Sequence, residues 1–170
     1  MNYTPLWIKT DYSILSSLIK IDDLISMLKS LEIKSAAICD DNLYGAMEFY
    51  TKCIKNDIKP IIGLEVNLEE TILLYAKNYA GYQNLCNIMT LLNEGKLTYE
   101  NIVNYINDTI VVLPFESKEK EEYFKAYTSD VFIGYKDLIQ EKMISGNKVY
   151  VNKTLTIDKE NTKYLKYLYK

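Results

Sequence analysis

Apolar residues recur at Ile21, Leu24, Ile25, Met27, Leu28 and Leu31, a spacing that keeps them on one side of a helix. Asp22 and Asp23 fall in its first turn, where acidic side chains favour the positive end of the helix dipole. Together they predict a helix over 21–31. A helical period returns over 43–56, 79–92 and 99–106, and shorter or more charged helices are expected at 118–127, 135–142 and 159–169. Between them lie short apolar or alternating runs that predict strands at 3–9, 34–39, 59–67, 72–76, 109–113, 130–134 and 148–151. The run TIVVL at 109–113 is the clearest, and Pro60 is tolerable near the start of its strand. A polar turn, Thr10–Ser17, follows the first strand. This alternation of strand and helix implies an α/β fold with parallel strands and helices outside.

With 170 residues and no internal repeat or evident linker, the chain reads as a single domain, 1–170. No stretch approaches the roughly 20 apolar residues of a membrane span. The N-terminus lacks the basic, apolar, small-residue order of a secretory signal. Cys39, Cys53 and Cys86 form neither a CxxC pair nor a disulfide framework, so a reducing cytoplasm is the expected compartment. Net charge is −3 and all twenty basic residues are lysine, which argues against direct nucleic-acid binding. The lysine- and tyrosine-rich end, 163–170, reads accordingly as a packed helix with its lysines outside. The total absence of histidine changes the picture most. Asp40 and Glu65 stand where predicted strands meet their loops, the place where α/β proteins gather a site, yet no imidazole is available as ligand or proton shuttle. Cys39, beside Asp40, has no histidine base and reads as a small buried thiol.

A series of motifs carries a resemblance. Tyr12-Ser13-Ile14-Leu15-Ser16-Ser17 follows the first strand, and SLIKIDDLISMLKSLEI forms the next helix. Cys39-Asp40-Asp41-Asn42-Leu43-Tyr44-Gly45-Ala46 comes after the second strand, and Ile58 through Val66 reads IKPIIGLEV. Leu74-Tyr75-Ala76-Lys77-Asn78, Gly81-Tyr82-Gln83-Asn84-Leu85-Cys86 and Val151-Asn152-Lys153-Thr154-Leu155 continue the series. In this order the motifs resemble the PHP (polymerase and histidinol phosphatase) domain that opens bacterial replicative DNA polymerase III alpha subunits. The match is dense over 5–86 and patchy after about Asn93.

The resemblance implies a distorted (β/α)7 barrel, for which 170 residues is short, so the chain is either a trimmed version or a fragment. Active members bind a metal cluster through histidines and carboxylates and hydrolyse phosphoesters. The corresponding positions here are Trp7 and Lys9 on the first strand, Asp40 and Asp41, Glu65, and Lys153 and Leu155 near the end. Only Asp40 and Glu65 remain from the ligand set, so no catalytic residue, metal or other cofactor is expected in this domain. Lys9 and Lys153 are expected to face Asp40 and Glu65 as ammonium replacements for the metals, with Trp7 filling vacated space.

The resemblance further implies the N-terminal domain of a cytoplasmic polymerase alpha subunit, acting as a structural and partner-binding module. Nucleotidyl transfer would belong to residues outside this chain. The expected partners are the remainder of that subunit and a proofreading exonuclease. Two alternatives stand beside it: a self-standing pseudoenzyme that binds a protein or small ligand, and a weak phosphoesterase with one metal on Asp40, Asp41 and Glu65.

Overall fold

The computed structural model describes residues 3–158 and 163–164. It divides into two compact units, Met1–Ile62 with Lys153–Lys170, and Gly63–Asn152. The first unit opens with an extended segment in which Ile8 alone makes strand-type bridges, to Ile38 on one side and Thr154 on the other, both parallel. Helix α1 (Ile21–Ser30), strand β1 (Ser35–Asp40) and helix α2 (Ala46–Lys55) follow. Strand β2 (Lys59–Asn67) then runs from the first unit into the second.

The first unit's core explains these elements. Ile21, Leu24, Ile25 and Leu28 of α1 pack with Phe49 and Cys53 of α2, Ala36 and Ile38 of β1, and Ile8, Ile19 and Ile58. Ala36 through Cys39 are all buried, as expected for a strand covered on both faces. Burial also acts on the thiols. It pushes the Cys53 thiol up to about 12, leaving roughly one part in 10⁴ as thiolate at pH 8. Cys39 is equally inaccessible, whereas Cys86 is half-buried. Ellman's reagent at pH 8 is therefore expected to react with Cys86 in the native protein and with all three cysteines after denaturation. Rapid native labelling of Cys53 would contradict the packing of α1 on α2.

The second unit contains the rest of β2, with β3 (Thr71–Ala76), helix α3 (Tyr79–Asn93) and the short helix α4 (Tyr99–Ile102). It continues through β4 (Thr109–Pro114), α5 (Glu121–Lys125), β5 (Val131–Tyr135), α6 (Leu138–Lys142) and β6 (Lys148–Tyr150). Hydrogen-bonded neighbours follow chain order, β1-β2-β3-β4-β5-β6.

Several sequence expectations are corrected. The first strand shrinks to the bridge at Ile8, so six strands rather than seven are found among the described residues. Uniform parallel pairing fails, because β2–β3 and β3–β4 are antiparallel while β4–β5 and β5–β6 are parallel. The expected helix over 99–106 gives way to a 3₁₀ turn at Val103–Tyr105, and the one over 118–127 is replaced in its first turns by 3₁₀ structure at Phe115–Lys120. The final helix at 159–169 lies outside the described residues apart from 163–164.

Candidate functional site

In the first unit the end of β1 delivers Asp40 into a closed environment, 1% exposed. Its carboxylate accepts three hydrogen bonds: from Thr10 N at 2.6 Å, Thr10 Oγ1 at 2.7 Å and Ser13 Oγ at 2.6 Å. Thr10 and Ser13 are themselves fully buried. Burial nevertheless outweighs these bonds and the nearby Lys9 charge, and raises the Asp40 carboxyl above its ordinary value.

Lys9 enters from the opposite segment. Its backbone is fixed on both flanks, since Lys9 N donates to Thr154 O and Ser17 Oγ donates to Lys9 O. Its side chain is 3% exposed, and Nζ donates to Asp41 Oδ2 at 3.1 Å. The other Asp41 oxygen accepts from Asn42 Nδ2, which also donates to Tyr12 O. Ser13 Oγ in turn lies 3.3 Å from the Asp41 N–H that donates to it. The loop after β1 is thus tied to the turn after the first segment through two adjacent aspartates.

The remaining first-unit positions lie on the same framework. Trp7 is buried, and Lys153 Nζ stands 5.0 Å from its ring centroid, a cation–π distance. Leu155 is half-buried and contributes its carbonyl, which accepts from Leu18 N and Ser17 Oγ. Glu65 belongs to the second unit. There it is 3% exposed on β2, in register with Leu73 of β3, and accepts from Asn67 Nδ2 at 3.1 Å. Among the described residues, no group of three or more His, Cys, Asp or Glu side chains is arranged to hold a metal ion.

Thr10, Ser13 and Ser17 were not identified by sequence reasoning as members of this network. A signal did exist, in that hydroxyl residues cluster in the turn directly after the segment that carries Lys9. Nearby, Tyr12, Glu48, Lys52 and Asp22 form a chain of polar contacts. Tyr12 OH donates to Glu48 Oε2 at 2.6 Å, and Lys52 Nζ reaches Glu48 at 2.6 Å and Asp22 at 2.5 Å. Tyr12, Glu48 and Asp22 border an open cavity of about 230 Å³ with Asp11, Lys20 and Ile21.

The family model described as "PHP domain" matches residues 6–165. The chain belongs to the PHP domain family. It is similar to DNA polymerase III subunit alpha of Halalkalibacterium halodurans, 30% identical over 127 residues, 68% of this chain and 11% of that protein. The same subunit of Mycoplasma genitalium is 34% identical over 121 residues, 68% of this chain and 14% of that protein. The Streptococcus pyogenes serotype M3 subunit is 35% identical over 118 residues, 66% of this chain and 11% of that protein. The chain thus spans little more than a tenth of the length of these relatives.

Among solved structures, an amidohydrolase from Chromobacterium violaceum, with bound sulfate and no metal, has a TM-score of 0.63. It is 9% identical, and the match covers 99% of this chain and 97% of that one. The α/β fold of this PHP domain is therefore the one its sequence motifs imply. No helix among the described residues is long and apolar enough to cross a membrane.

Proposed function

We propose that this PHP domain is the N-terminal module of a replicative DNA polymerase alpha subunit, and that it serves as a scaffold rather than as a phosphoesterase. One observation carries the second half of that reading. Both Asp40 oxygens accept from internal donors, three hydrogen bonds in all, and the neighbouring space holds the buried ammonium of Lys9. A hydrolytic metal cluster needs carboxylate and imidazole lone pairs turned toward the ions, with cations about 4 Å apart to clamp the attacking and leaving oxygens. The first unit's residues at these positions do not fit such a cluster. The buried state of Glu65 in the second unit agrees with a structural use of that carboxylate as well.

The polymerase context is supported by the alpha-subunit relatives. In that setting the domain would brace the remainder of the subunit and present a face to a proofreading exonuclease, in the cytoplasm. A self-standing pseudoenzyme is the second reading.

Hydrolysis is tested with phosphomonoester and phosphodiester substrates in the presence of manganese. The expected result is turnover no higher than that of an Asp40→Asn, Glu65→Gln double variant. Turnover that the double variant abolishes would overturn the scaffold reading and favour a single-metal phosphoesterase. The genomic reading frame beyond Lys170 separates the other two readings. Continuation into polymerase sequence supports the alpha-subunit module, and a stop codon supports the self-standing form.

A further inference from the structure

We infer that Lys9 works as a tethered cation: its ammonium is the structural ion that binds the loop after β1 to the turn after the first segment. This rests on the reading that the pocket has no metal cluster, and it adds what replaces the ions.

A lysine side chain only 3% exposed has lost its hydration, and such a charge persists only where opposite charge and hydrogen-bond acceptors compensate it. Two consecutive aspartates contribute to that compensation. Asp41 does so by direct contact at 3.1 Å, and Asp40 through space, since the Lys9 charge counteracts part of the burial effect on its carboxyl. The compensation runs both ways. Lys9 is in turn the positive charge beside two consecutive carboxylates at one strand end, and it favours the charged form of Asp40 against burial.

The geometry of delivery separates a tethered ion from an incidental surface pair. Trp7 O accepts from Thr154 N at 2.8 Å, Lys9 N donates to Thr154 O at 3.0 Å, and Ile8 O accepts from Cys39 N at 2.8 Å. The backbone that carries the ammonium is thus clamped between two neighbouring segments, which fixes the point from which the side chain reaches Asp41. Surface ion pairs such as Lys96–Glu94, with side chains 69% and 48% exposed, have none of these features.

A tethered ion can be cut from its tether and supplied from solution. Lys9→Ala removes Cγ, Cδ, Cε and Nζ, the atoms of n-propylammonium. Lys9→Met keeps most of the volume and removes the charge. Urea unfolding of the whole chain is the readout. Lys9→Ala is expected to lower the folding equilibrium constant by about 100-fold or more. n-Propylammonium chloride, at about ten times its Kd, should restore roughly tenfold of that loss relative to sodium chloride. n-Propanol, which has the shape without the charge, and tetramethylammonium, which has the charge without N–H donors, should restore nothing.

If Lys9→Ala does not fold, the charge is tested through Lys9→Met and Asp41→Asn, singly and together. The double variant should be more stable than the sum of the two single losses allows. Additive losses, an unchanged equilibrium in Lys9→Met, or equal rescue of Lys9→Ala by n-propanol would each overturn the tethered-cation role. These outcomes are distinct from the hydrolysis assay: turnover by the wild-type chain overturns the scaffold reading, whereas failed rescue in an inert chain overturns this inference alone.

Discussion

Replacing Asp40 by alanine is expected to destabilise the protein by about 3–5 kcal/mol, measured by chemical denaturation. The size follows from what the substitution leaves behind. Thr10 N, Thr10 Oγ1 and Ser13 Oγ all point at the carboxylate from buried positions, and Lys9 loses part of its compensating field. Each buried donor left without an acceptor costs about 1–3 kcal/mol, although the two hydroxyls recover some of this by rotating. Asp40→Asn retains the shape and one acceptor oxygen, so its cost should be smaller, about 1–2 kcal/mol. An aspartate in a solvated loop would instead change stability by less than about 0.5 kcal/mol.

The same residue predicts a pH dependence. Its folded-state pKa lies above its reference value of 3.8, so the folded chain binds the Asp40 proton more tightly than the unfolded chain does. That contribution is complete below the unfolded pKa and is lost as pH rises through the folded one. The stability of wild type minus that of Asp40→Asn should therefore fall as pH is raised from below 3.8 through the raised Asp40 pKa. A difference that grows with pH over that range would show that hydrogen bonding outweighs burial at this carboxylate.

Gly81→Ala is the second large effect, in the second unit, with an expected loss of about 3 kcal/mol. A Cβ on Gly81 would lie 2.1 Å from the carbonyl oxygen of Asp108 and 3.2 Å from Ala76 Cα. Both are backbone atoms, so no flexible side chain can move aside. The loop is also pinned where it would have to yield. Asp108 O accepts from Lys77 N, Asp108 Oδ1 accepts from Asn78 Nδ2, and Asn107 O accepts from Asn84 Nδ2. Asn78, the N-cap of α3, simultaneously accepts from Gly81 N, so a shift at Gly81 weakens the cap as well. Gly95→Ala provides the contrast. Gly95 has φ +66° but nothing within 4 Å of a built Cβ, so only the left-handed backbone is penalised, at about 1 kcal/mol. Equal losses at the two positions in urea unfolding would remove the steric argument.

Legibility in the sequence followed the range of the interactions involved. Helix α1 was readable because its core face, Ile21, Leu24, Ile25 and Leu28, is written in local spacing. β1 and β3 likewise fall within one residue of their expected starts. Strand direction was misread although part of it was legible. Only three residues separate Asn67 from Thr71, too few for anything but an antiparallel return between β2 and β3. The antiparallel pairing of β3 with β4 was not legible, because α3 and α4 intervene and a long connection permits either direction. The candidate site divides the same way. Asp40 stood out by its motif, but the burial of Lys9 and the convergence of Thr10 and Ser13 on Asp40 depend on contacts about thirty residues apart.

The bridges of Ile8 have a consequence for the order of events during synthesis. The first unit is assembled from both ends of the chain, with the whole second unit, Gly63–Asn152, lying between them in sequence. Ser17 reaches the Leu155 carbonyl across a separation of 138 residues. On a ribosome, the partner of Trp7 O and Lys9 N, Thr154, does not exist until the whole second unit has been synthesised. The early-made segment must wait with its hydrogen-bonding edge open, and contacts of such long sequence separation form slowly. The nascent first unit is therefore the stage at which this chain depends most on protection from premature association.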